Sequence, residues 1–405
     1  MTTTGDTRVI FNPFEPGYFA DPSVQLNALR EQEAVHFMEF TGGFMVTRYD
    51  DAFHLLRDRT VGSTADNATS TPSIDAERAA IAQDPAGPNM LRVDGDDHTR
   101  MRRLVAQAFT PRAIEQWRVR ATDLTDELLD VFDNRGYGDA LYDFALPLPA
   151  TVISDMLGVP KGDLPQLRAW SHAMAKTLDA VNTEEELQLS ADAASAMDGY
   201  LREVYDVKLA DPADDIFSAL IAAEHEGDHL TKNEVISNIR LLYVAGHETT
   251  TNLIGNGLTE LFRHPDQLEM VRASDEHDAN LVEEVLRFNA PVQMTRRIPD
   301  HDIEVAGTTI PGGSVILLCA VSANRDPRKF GPAADEFDIT RADAKDQLSF
   351  GGGAHFCLGA ALARLEGQIA IPRIIRRFPN LALATEPEFE DRVVLRGVAR
   401  LDVTV

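Results

Sequence analysis

The chain has 405 residues and a formal net charge of −27, from 38 lysines and arginines against 65 aspartates and glutamates. So acidic a surface argues against nucleic acid and anionic membranes as partners. Two cysteines in so long a chain exclude a disulfide framework and favour a reducing compartment. We find no signal-peptide pattern and no apolar run near the roughly 20 residues that cross a bilayer, so we expect a cytoplasmic protein free of the membrane.

The first 95 residues predict a β-hairpin followed by a long irregular connection. Two apolar stretches, 34–40 and 44–48, flank Thr41-Gly42-Gly43, which is typical of a hairpin turn. Residues 60–95 are rich in Ser, Thr, Asp, Pro and Gly, with a short helical pattern near 76–83. A connection of this length is usually a lid or a disordered segment.

The next segments predict helices. A helix opens near residue 95 and carries His98 and Arg102, which share a face because they are four residues apart. Taken alone, that spacing favours a solvated basic surface. Residues 113–228 read as amphipathic helices with short Gly, Pro and Asp breaks.

A long helix is predicted over residues 231–264. Thr231 and Glu234 form a capping box, Pro265 ends the pattern, and the length is about 50 Å. Its middle, residues 245–251, contains weak helix formers, which predicts a local opening. Gly246 and Thr249 fall on one stripe, so bare backbone beside a hydroxyl would make a groove for a small diatomic molecule. The alternative is a threonine bonded to a carbonyl one turn away.

Two charged motifs follow the long helix. Glu284 and Arg287 stand three residues apart in a helix predicted over residues 278–288 with Asp278 as its cap, a spacing that brings an ion pair together. Short strands are expected after it, and Arg296 and Arg297 lie side by side in the first of them.

The stretch Phe350–Gly359 contains three successive glycines and then Cys357, where a helix is expected to begin. A helix N-terminus favours a thiolate, and a thiolate on a glycine platform suits haem iron. A phosphate loop would need a Lys-Ser/Thr pair, which is absent here. An inert buried cysteine is the other interpretation, and it suits Cys319.

Together these motifs resemble those of the bacterial cytochrome P450 family, the haem-thiolate monooxygenases. The pattern F-G-x-G-x-H-x-C-x-G is filled at each fixed position, and A-G-x-E-T-T, E-x-x-R and H-x-x-x-R are also present in family order. The resemblance implies a mostly α fold with a small β region. It also implies a single triangular domain over residues 1–405, whose β-rich parts lie near 30–60, 292–320 and 381–405.

The resemblance implies haem b with its iron ligated by the Cys357 thiolate, and O2 as cosubstrate. One oxygen atom would enter a hydrophobic small organic substrate by hydroxylation or epoxidation, and Glu248 and Thr249 would relay protons. Haem-binding residues carried over from the family are His98, Arg102, Ala245, Gly246, Arg297, Phe350, Gly351, His355, Cys357 and Gly359. Because Arg296 precedes Arg297 directly, either of the two could be the strand arginine that binds a haem propionate.

The resemblance also suggests a substrate pocket and a structural clamp. The pocket residues would be Asn89, Met90, Leu91, Leu242, Val292, Met294 and Val398, with lid elements near 170–195. Glu284 and Arg287 would form a buried clamp. The family often adds an arginine where this chain has Glu336, so either Arg341 or a rearranged contact would complete it. Pro372 is expected to kink the helix after Cys357.

Electrons would come from a ferredoxin and a ferredoxin reductase, because no flavin or iron–sulfur domain is recognisable. An acidic ferredoxin is expected to dock on Arg100, Arg103 and Arg112, and the protein is expected to be a monomer. A peroxide-driven oxygenase and a non-catalytic haem sensor are the alternatives, and the Glu248–Thr249 pair argues against both. The substrate is expected to be hydrophobic, such as a polycyclic or terpenoid-like molecule.

Overall fold

The computed structural model describes residues 8–133, 135–179, 182–225 and 227–405, and helices dominate it. The helices are α1 (Ser23–Gln32), α2 (Tyr49–Arg57), α3 (Pro72–Gln83), α4 (Gly95–Ala106), α5 (Pro111–Glu115), α6 (Arg118–Asp133), α7 (Pro147–Leu157), α8 (Leu164–Lys176), α9 (Glu184–Ala210), α10 (Ile216–Ala222), α11 (Lys232–Arg263), α12 (Pro265–Ala273), α13 (Asp278–Phe288), α14 (Ala320–Ala323), α15 (Pro327–Phe330) and α16 (Ala360–Arg377).

The strands are short and are spread along the chain. They are β1 (Val35–Met38), β2 (Gly43–Val46), β3 (Val61–Gly62), β4 (Tyr137–Asp139), β5 (Glu224–His225), β6 (Asp228–His229), β7 (Met294–Pro299), β8 (Ile303–Val305), β9 (Thr308–Ile310), β10 (Ile316–Cys319), β11 (Ala382–Leu383), β12 (Glu388–Phe389), β13 (Val398–Arg400) and β14 (Asp402–Thr404).

Two of the predicted β-rich regions join in one sheet, in the order β1-β2-β10-β7-β3. The predicted hairpin is confirmed, since β1 and β2 pair antiparallel with Val35 opposite Val46. Strand β10 then lies parallel to β2 and antiparallel to β7. The C-terminal β region does not join this sheet: it forms β11-β14-β4 and a separate β12-β13 pair.

Helix α11 is the central element, and its predicted capping box is confirmed. The Thr231 hydroxyl accepts from the Glu234 backbone N–H at 3.2 Å, and the Glu234 carboxylate accepts from the Thr231 N–H at 2.8 Å. The predicted opening at residues 245–251 is wrong, because the helix is continuous there. The Thr249 hydroxyl instead donates to the Ala245 carbonyl at 2.8 Å, so the weak helix formers are accommodated without unwinding.

The main hydrophobic core surrounds α11 and is built by α6, α7, α13 and α16. A second cluster lies between the five-stranded sheet and α2, with Val46, Leu56 and Ile316 among its members. Helix α16 runs through Pro372 as one element. Among the described residues, no helix is both long and apolar enough to cross a membrane.

The segment between β3 and α4 is ordered and is tied to α11. The Asn238 side-chain oxygen accepts from the Met90 N–H at 3.2 Å, and the Ser237 hydroxyl donates to the Gly87 carbonyl at 2.9 Å. Arg240 forms an ion pair with Asp84. This segment therefore covers one side of the central helix at a fixed position.

Candidate active site

The glycine-rich loop before α16 packs against the end of α2. Gly351 and Gly353 have φ of 70° and 64°, which glycine adopts without strain. A Cβ on Gly353 would lie only 2.5 Å from the Leu56 carbonyl oxygen. The Cys357 N–H donates to the Phe350 carbonyl at 2.8 Å and closes the loop. The glycines are therefore required both for backbone conformation and for close approach to α2.

The thiol of Cys357 is accessible, whereas that of Cys319 is buried. Burial raises the pKa of Cys357, and this outweighs the N–H groups of Gly359 and Ala360 and the charges of Arg102 and Arg364. Helix α16 begins at Ala360, three residues after the cysteine, and the N–H groups of Gly359 and Ala360 lower the pKa of Cys357, in the direction predicted for a helix start. A bound cation would favour the thiolate form of this sulfur.

The middle of α11 is accessible although most of the helix is buried. Ala245 is exposed and Thr249 and Glu248 are partly so, whereas residues 250–261 are all buried. The predicted role of Gly246 as bare backbone beside the hydroxyl is wrong. A Cβ there would lie 3.1 Å from Cγ1 of Ile153 in α7. The accessible neighbour of Thr249 on this helix is Ala245, one turn earlier.

Glu248 lies between two histidines. Its Oε1 is 3.3 Å from Nδ1 of His172 in α8 and 3.7 Å from Nε2 of His247. Burial raises the pKa of Glu248, but the hydrogen bond from His172 and the electrostatic effect of the neighbouring His247, His172 and Arg392 side chains together bring it below its usual value. Glu248 is thus a nearly buried carboxylate with a solvent-exposed imidazole on its outer side.

Three of the predicted haem-binding side chains are basic and have no carboxylate partner within ion-pair distance among the described residues. His98 is buried with Nε2 unpaired, and burial, His355 and Arg102 lower its pKa to about 4. Arg297 is buried and donates to the Arg296 carbonyl at 2.8 Å. Arg102 donates to the Phe356 carbonyl. Buried or half-buried donors without an anion fit carboxylate groups such as the propionates of haem.

The uncertainty between the two strand arginines is removed by their partners. Arg296 forms a bidentate ion pair with Glu77, at 2.6 and 3.0 Å. Arg297 is next to it in β7, so its side chain points to the opposite face of the strand. Arg297 is therefore the arginine left available to an anion.

His355 does not belong to this group of available donors. Its Nε2 lies 2.7 Å from Oδ1 of Asp94, and the other oxygen of Asp94 accepts from the N–H groups of Ser63 and Thr64 at 2.7 and 2.8 Å. Burial opposes ionisation of Asp94, but the hydrogen bonds from His355 and from these backbone groups hold its pKa far below the usual range. His355 thus fastens the cysteine loop to residues 63–64 through Asp94, and its predicted haem-binding role stays a prediction.

Comparison with known proteins agrees with this arrangement of motifs. The family described as Cytochrome P450 matches residues 37–277 and 279–399. The chain is 36% identical to "Cytochrome P450 107B1" of Saccharopolyspora erythraea over 410 residues, covering 99% of each protein.

The chain belongs to the cytochrome P450 family.

Further comparisons agree with the activity as well as the fold. This cytochrome P450 is 38% identical to "Cytochrome P450 monooxygenase PikC" of Streptomyces venezuelae, over 91% of this chain and 87% of that protein. It resembles the structure of P450BioI in complex with an acyl carrier protein, with a TM-score of 0.89, 34% identity and coverage of 96% and 100%. It is a monooxygenase with the mostly α fold of the family, whose members hold haem.

The clamp of this cytochrome P450 is fully buried. Arg287 and Glu284 are 0% exposed and form two hydrogen bonds of 2.7 Å. The other N–H groups of Arg287 donate to the carbonyls of Asn324, Ala334 and Glu336, so all its donors are used. Arg341 lies 3.5 Å from Glu284, which shows that it completes the clamp. Asp278 does not cap α13: its carboxylate binds Arg376 instead.

Two of the predicted pocket residues are packed elsewhere. Met294 is buried in a cluster with Met45 and Cys319, and Val398 lies against α11, where a Cβ on Gly255 would be 3.2 Å from its Cγ2. Their assignment to the pocket is wrong, because both β positions face the core. The remaining predicted pocket residues stay predictions, and they range from almost buried to exposed: Asn89, Met90, Leu91, Leu242 and Val292.

The motifs gave no sign of three further residues beside the site. His172 and Asp94 are ordinary surface-type residues in the sequence, and only the fold brings them to Glu248 and His355. Glu366 in α16 is fully buried, and burial raises its pKa to about 8. An acid within the apolar pattern of residues 360–375 was the available signal for Glu366.

Proposed function

We propose that this cytochrome P450 hydroxylates or epoxidises a hydrophobic small organic molecule, with haem b ligated by the Cys357 thiolate. The accessible sulfur of Cys357, with the N–H groups of Gly359 and Ala360 near it, supports this proposal most directly. When bound, the haem supplies oxygen activation, which a thiolate ligand favours by pushing electron density toward the oxygen. The remaining chemistry falls to side chains of the protein.

We propose that Arg297, Arg102 and His98 bind the haem propionates. These residues are basic donors without a carboxylate partner, and a propionate would satisfy each of them. A buried guanidinium without an anion carries a large desolvation cost, so binding an anion there is favourable. Burial lowers the pKa of Arg297, which is consistent with that cost.

Replacing Arg297 by leucine is expected to accelerate haem loss about tenfold, because a charge-assisted hydrogen bond is removed. The measurement is the rate of haem transfer to excess apomyoglobin. Arg296→Leu is the matched control: it lies one position away but pairs with Glu77, and Glu77 keeps its contact with Arg92 at 2.8 Å. Equal haem loss from both variants would contradict the assignment of Arg297.

We propose that Glu248 and Thr249 carry protons to the reacting oxygen. Glu248 exchanges a proton at Oε1. The Thr249 hydroxyl, which rests on the Ala245 carbonyl, can rotate to donate inward and to accept from an ordered water. Their partial exposure in the middle of a buried helix supports this role.

The experiment for this function measures products under ¹⁸O₂ with a ferredoxin, its reductase and NAD(P)H. We expect one ¹⁸O atom in the product. In Thr249→Ala, NAD(P)H consumption should continue while product falls about tenfold or more and hydrogen peroxide rises, because general acid assistance is lost.

The control for Thr249 is Thr259→Ala on the same helix. The Thr259 hydroxyl donates to the Gly255 carbonyl at 2.8 Å, as Thr249 does to Ala245, but it is buried. The share of NAD(P)H consumption that yields product, the coupling, should be unchanged in that variant. Product formed from peroxide alone at the full rate would favour a peroxide-driven oxygenase, and a haem spectrum without any product would favour a sensor.

We propose that the electron donor is an acidic ferredoxin, reduced by its reductase. The expected docking cluster needs correction, because Arg100 pairs with Glu234 and Arg103 pairs with Asp228 at 2.8 Å. These two charges are largely neutralised. Arg112 is exposed and has no carboxylate within ion-pair distance among the described residues, so the contact is centred on Arg112.

A further inference from the structure

Helix α8 presents His172 to the acid of the central helix. Nδ1 of His172 lies 3.3 Å from Oε1 of Glu248, although the two residues are 76 positions apart. The side chain of His172 is 51% exposed, whereas that of Glu248 is 12% exposed. An exposed imidazole thus touches a carboxylate that has little contact with solvent of its own.

We propose that His172 is the residue that supplies protons from solvent to Glu248, so that the proton relay begins at the surface of α8. The proposal rests on the proposed role of Glu248 and Thr249 and extends it by one residue to the surface. His172 acts through Glu248 and is therefore a positioning and relay residue rather than a catalytic one.

The state of Glu248 explains why such a supplier is needed. Its pKa is lowered in spite of burial, so the carboxylate is ionised near neutral pH and has no proton to deliver. Each inserted oxygen atom consumes one O2, two electrons from the ferredoxin and two protons, and releases one water. Glu248 must therefore be reprotonated twice per turnover. The Nδ1–H of a cationic His172 gives its proton to Oε1, and the imidazole regains a proton from water.

The other charged groups near Glu248 cannot take this role. Nδ1 of His247 donates to the Tyr243 carbonyl at 3.0 Å, so in the neutral ring Nε2 carries no hydrogen. Burial lowers the pKa of His247, and its side chain is only 1% exposed. Arg392 contributes positive potential to Glu248, and Arg168 of α8 acts on His247, but guanidinium groups stay protonated. Of these groups, only His172 is a solvent-exposed imidazole, a side chain that can both give and take up a proton.

The arrangement also connects proton supply to the position of α8. His172 and Glu248 belong to different helices, so their contact exists only while α8 rests on α11. A displacement of α8 by a few ångströms would separate Nδ1 from Oε1 and stop the supply. The relay is therefore complete only when this helix covers the site.

His172→Asn tests the proposal in the haem-loaded enzyme. The asparagine amide nitrogen occupies the place of Nδ1 and keeps a hydrogen-bond donor, but it cannot transfer a proton. We expect coupled product formation to fall about tenfold, peroxide release to increase and the solvent deuterium isotope effect to rise. Imidazole added to the buffer should restore product formation in His172→Ala and should not do so in Glu248→Gln.

His301→Asn is the matched control. His301 is also 51% exposed, and its Nδ1 lies 2.6 Å from a carboxylate, that of Asp300, in the connection between β7 and β8. A second readout is independent of turnover: the infrared carboxyl band of Glu248, identified with Glu248→Gln, should appear at higher pH in His172→Phe. That variant lacks the hydrogen bond that lowers the Glu248 pKa.

The outcomes are distinct. The relay role would be overturned if His172→Asn and His172→Ala showed the same coupling, isotope effect and imidazole response as His301→Asn. A loss of activity that imidazole does not restore, with an unchanged isotope effect, would also overturn it, because His172 would then only hold the helices together. Wild-type enzyme that forms no ¹⁸O product would instead refute the proposed function itself.

Discussion

Cys357→Ser is expected to abolish the thiolate-type absorbance of the ferrous carbonyl complex and to remove monooxygenase activity. Serine keeps the size of the side chain and can accept the same backbone N–H groups, but an alkoxide is a far poorer iron ligand than a thiolate at neutral pH. Burial raises the pKa of the Cys357 thiol, and an alcohol in the same place is still harder to ionise. The measurement is the absorption spectrum of the reduced, carbonyl-bound protein.

Cys319→Ala provides the matched control for this spectrum. Cys319 is completely buried in the sheet cluster, and burial raises its pKa to about 12, so it behaves as a small apolar side chain. We expect an unchanged carbonyl spectrum in this variant. A thiolate-type spectrum retained in Cys357→Ser, or lost in Cys319→Ala, would refute the assignment of Cys357 as the iron ligand.

Arg287→Leu is expected to lower the free energy of unfolding by about 3–5 kcal/mol, because it leaves the carboxylate of Glu284 buried without its partner. Both side chains are 0% exposed, so solvent cannot replace the lost contacts. The carbonyls of Asn324, Ala334 and Glu336 also lose their donor. Urea unfolding of the haem-loaded protein, followed by circular dichroism, measures the change.

The control for the clamp is Arg118→Leu. Arg118 pairs with Glu115 at the same i, i+3 spacing, but on the surface. Exposed ion pairs contribute little, so this variant should unfold at nearly the same urea concentration as the wild type. A loss below about 1 kcal/mol in Arg287→Leu would show that Arg341 alone can neutralise Glu284, and the clamp would then not be essential.

The local features of the fold could be predicted because they depend on neighbouring residues. The capping box at Thr231, the stop at Pro265 and the hairpin at Thr41–Gly43 each depend on residues a few positions apart. The weak helix formers at residues 245–251 led to a wrong prediction. The low helix propensity of these residues changes the folding free energy only a little. The packing of a helix that is buried over most of its length outweighs that effect.

Only part of the site could be predicted, because several of its residues are brought together by contacts between distant parts of the chain. Cys357, Glu248 and Thr249 could be found because their motifs are contiguous. The roles of His355 and Met294 could not, because they depend on partners far away in the chain. Asp94 occupies the Nε2 of His355, and the sheet cluster takes the side chain of Met294. Gly246 was misjudged for the same reason, since Ile153 in α7 lies against it.

The sequence by itself determined the family and the limits of the long helix, and it led to the proposed sulfur ligand and acid–alcohol pair. These follow from residue types at fixed short spacings, whose chemistry does not depend on distant contacts. Only the tertiary structure decided which arginine of β7 is available to an anion, that Arg341 completes the clamp, and that His172 reaches Glu248. Hydrogen bonds and burial across tens to hundreds of residues set those choices, and no local pattern encodes them.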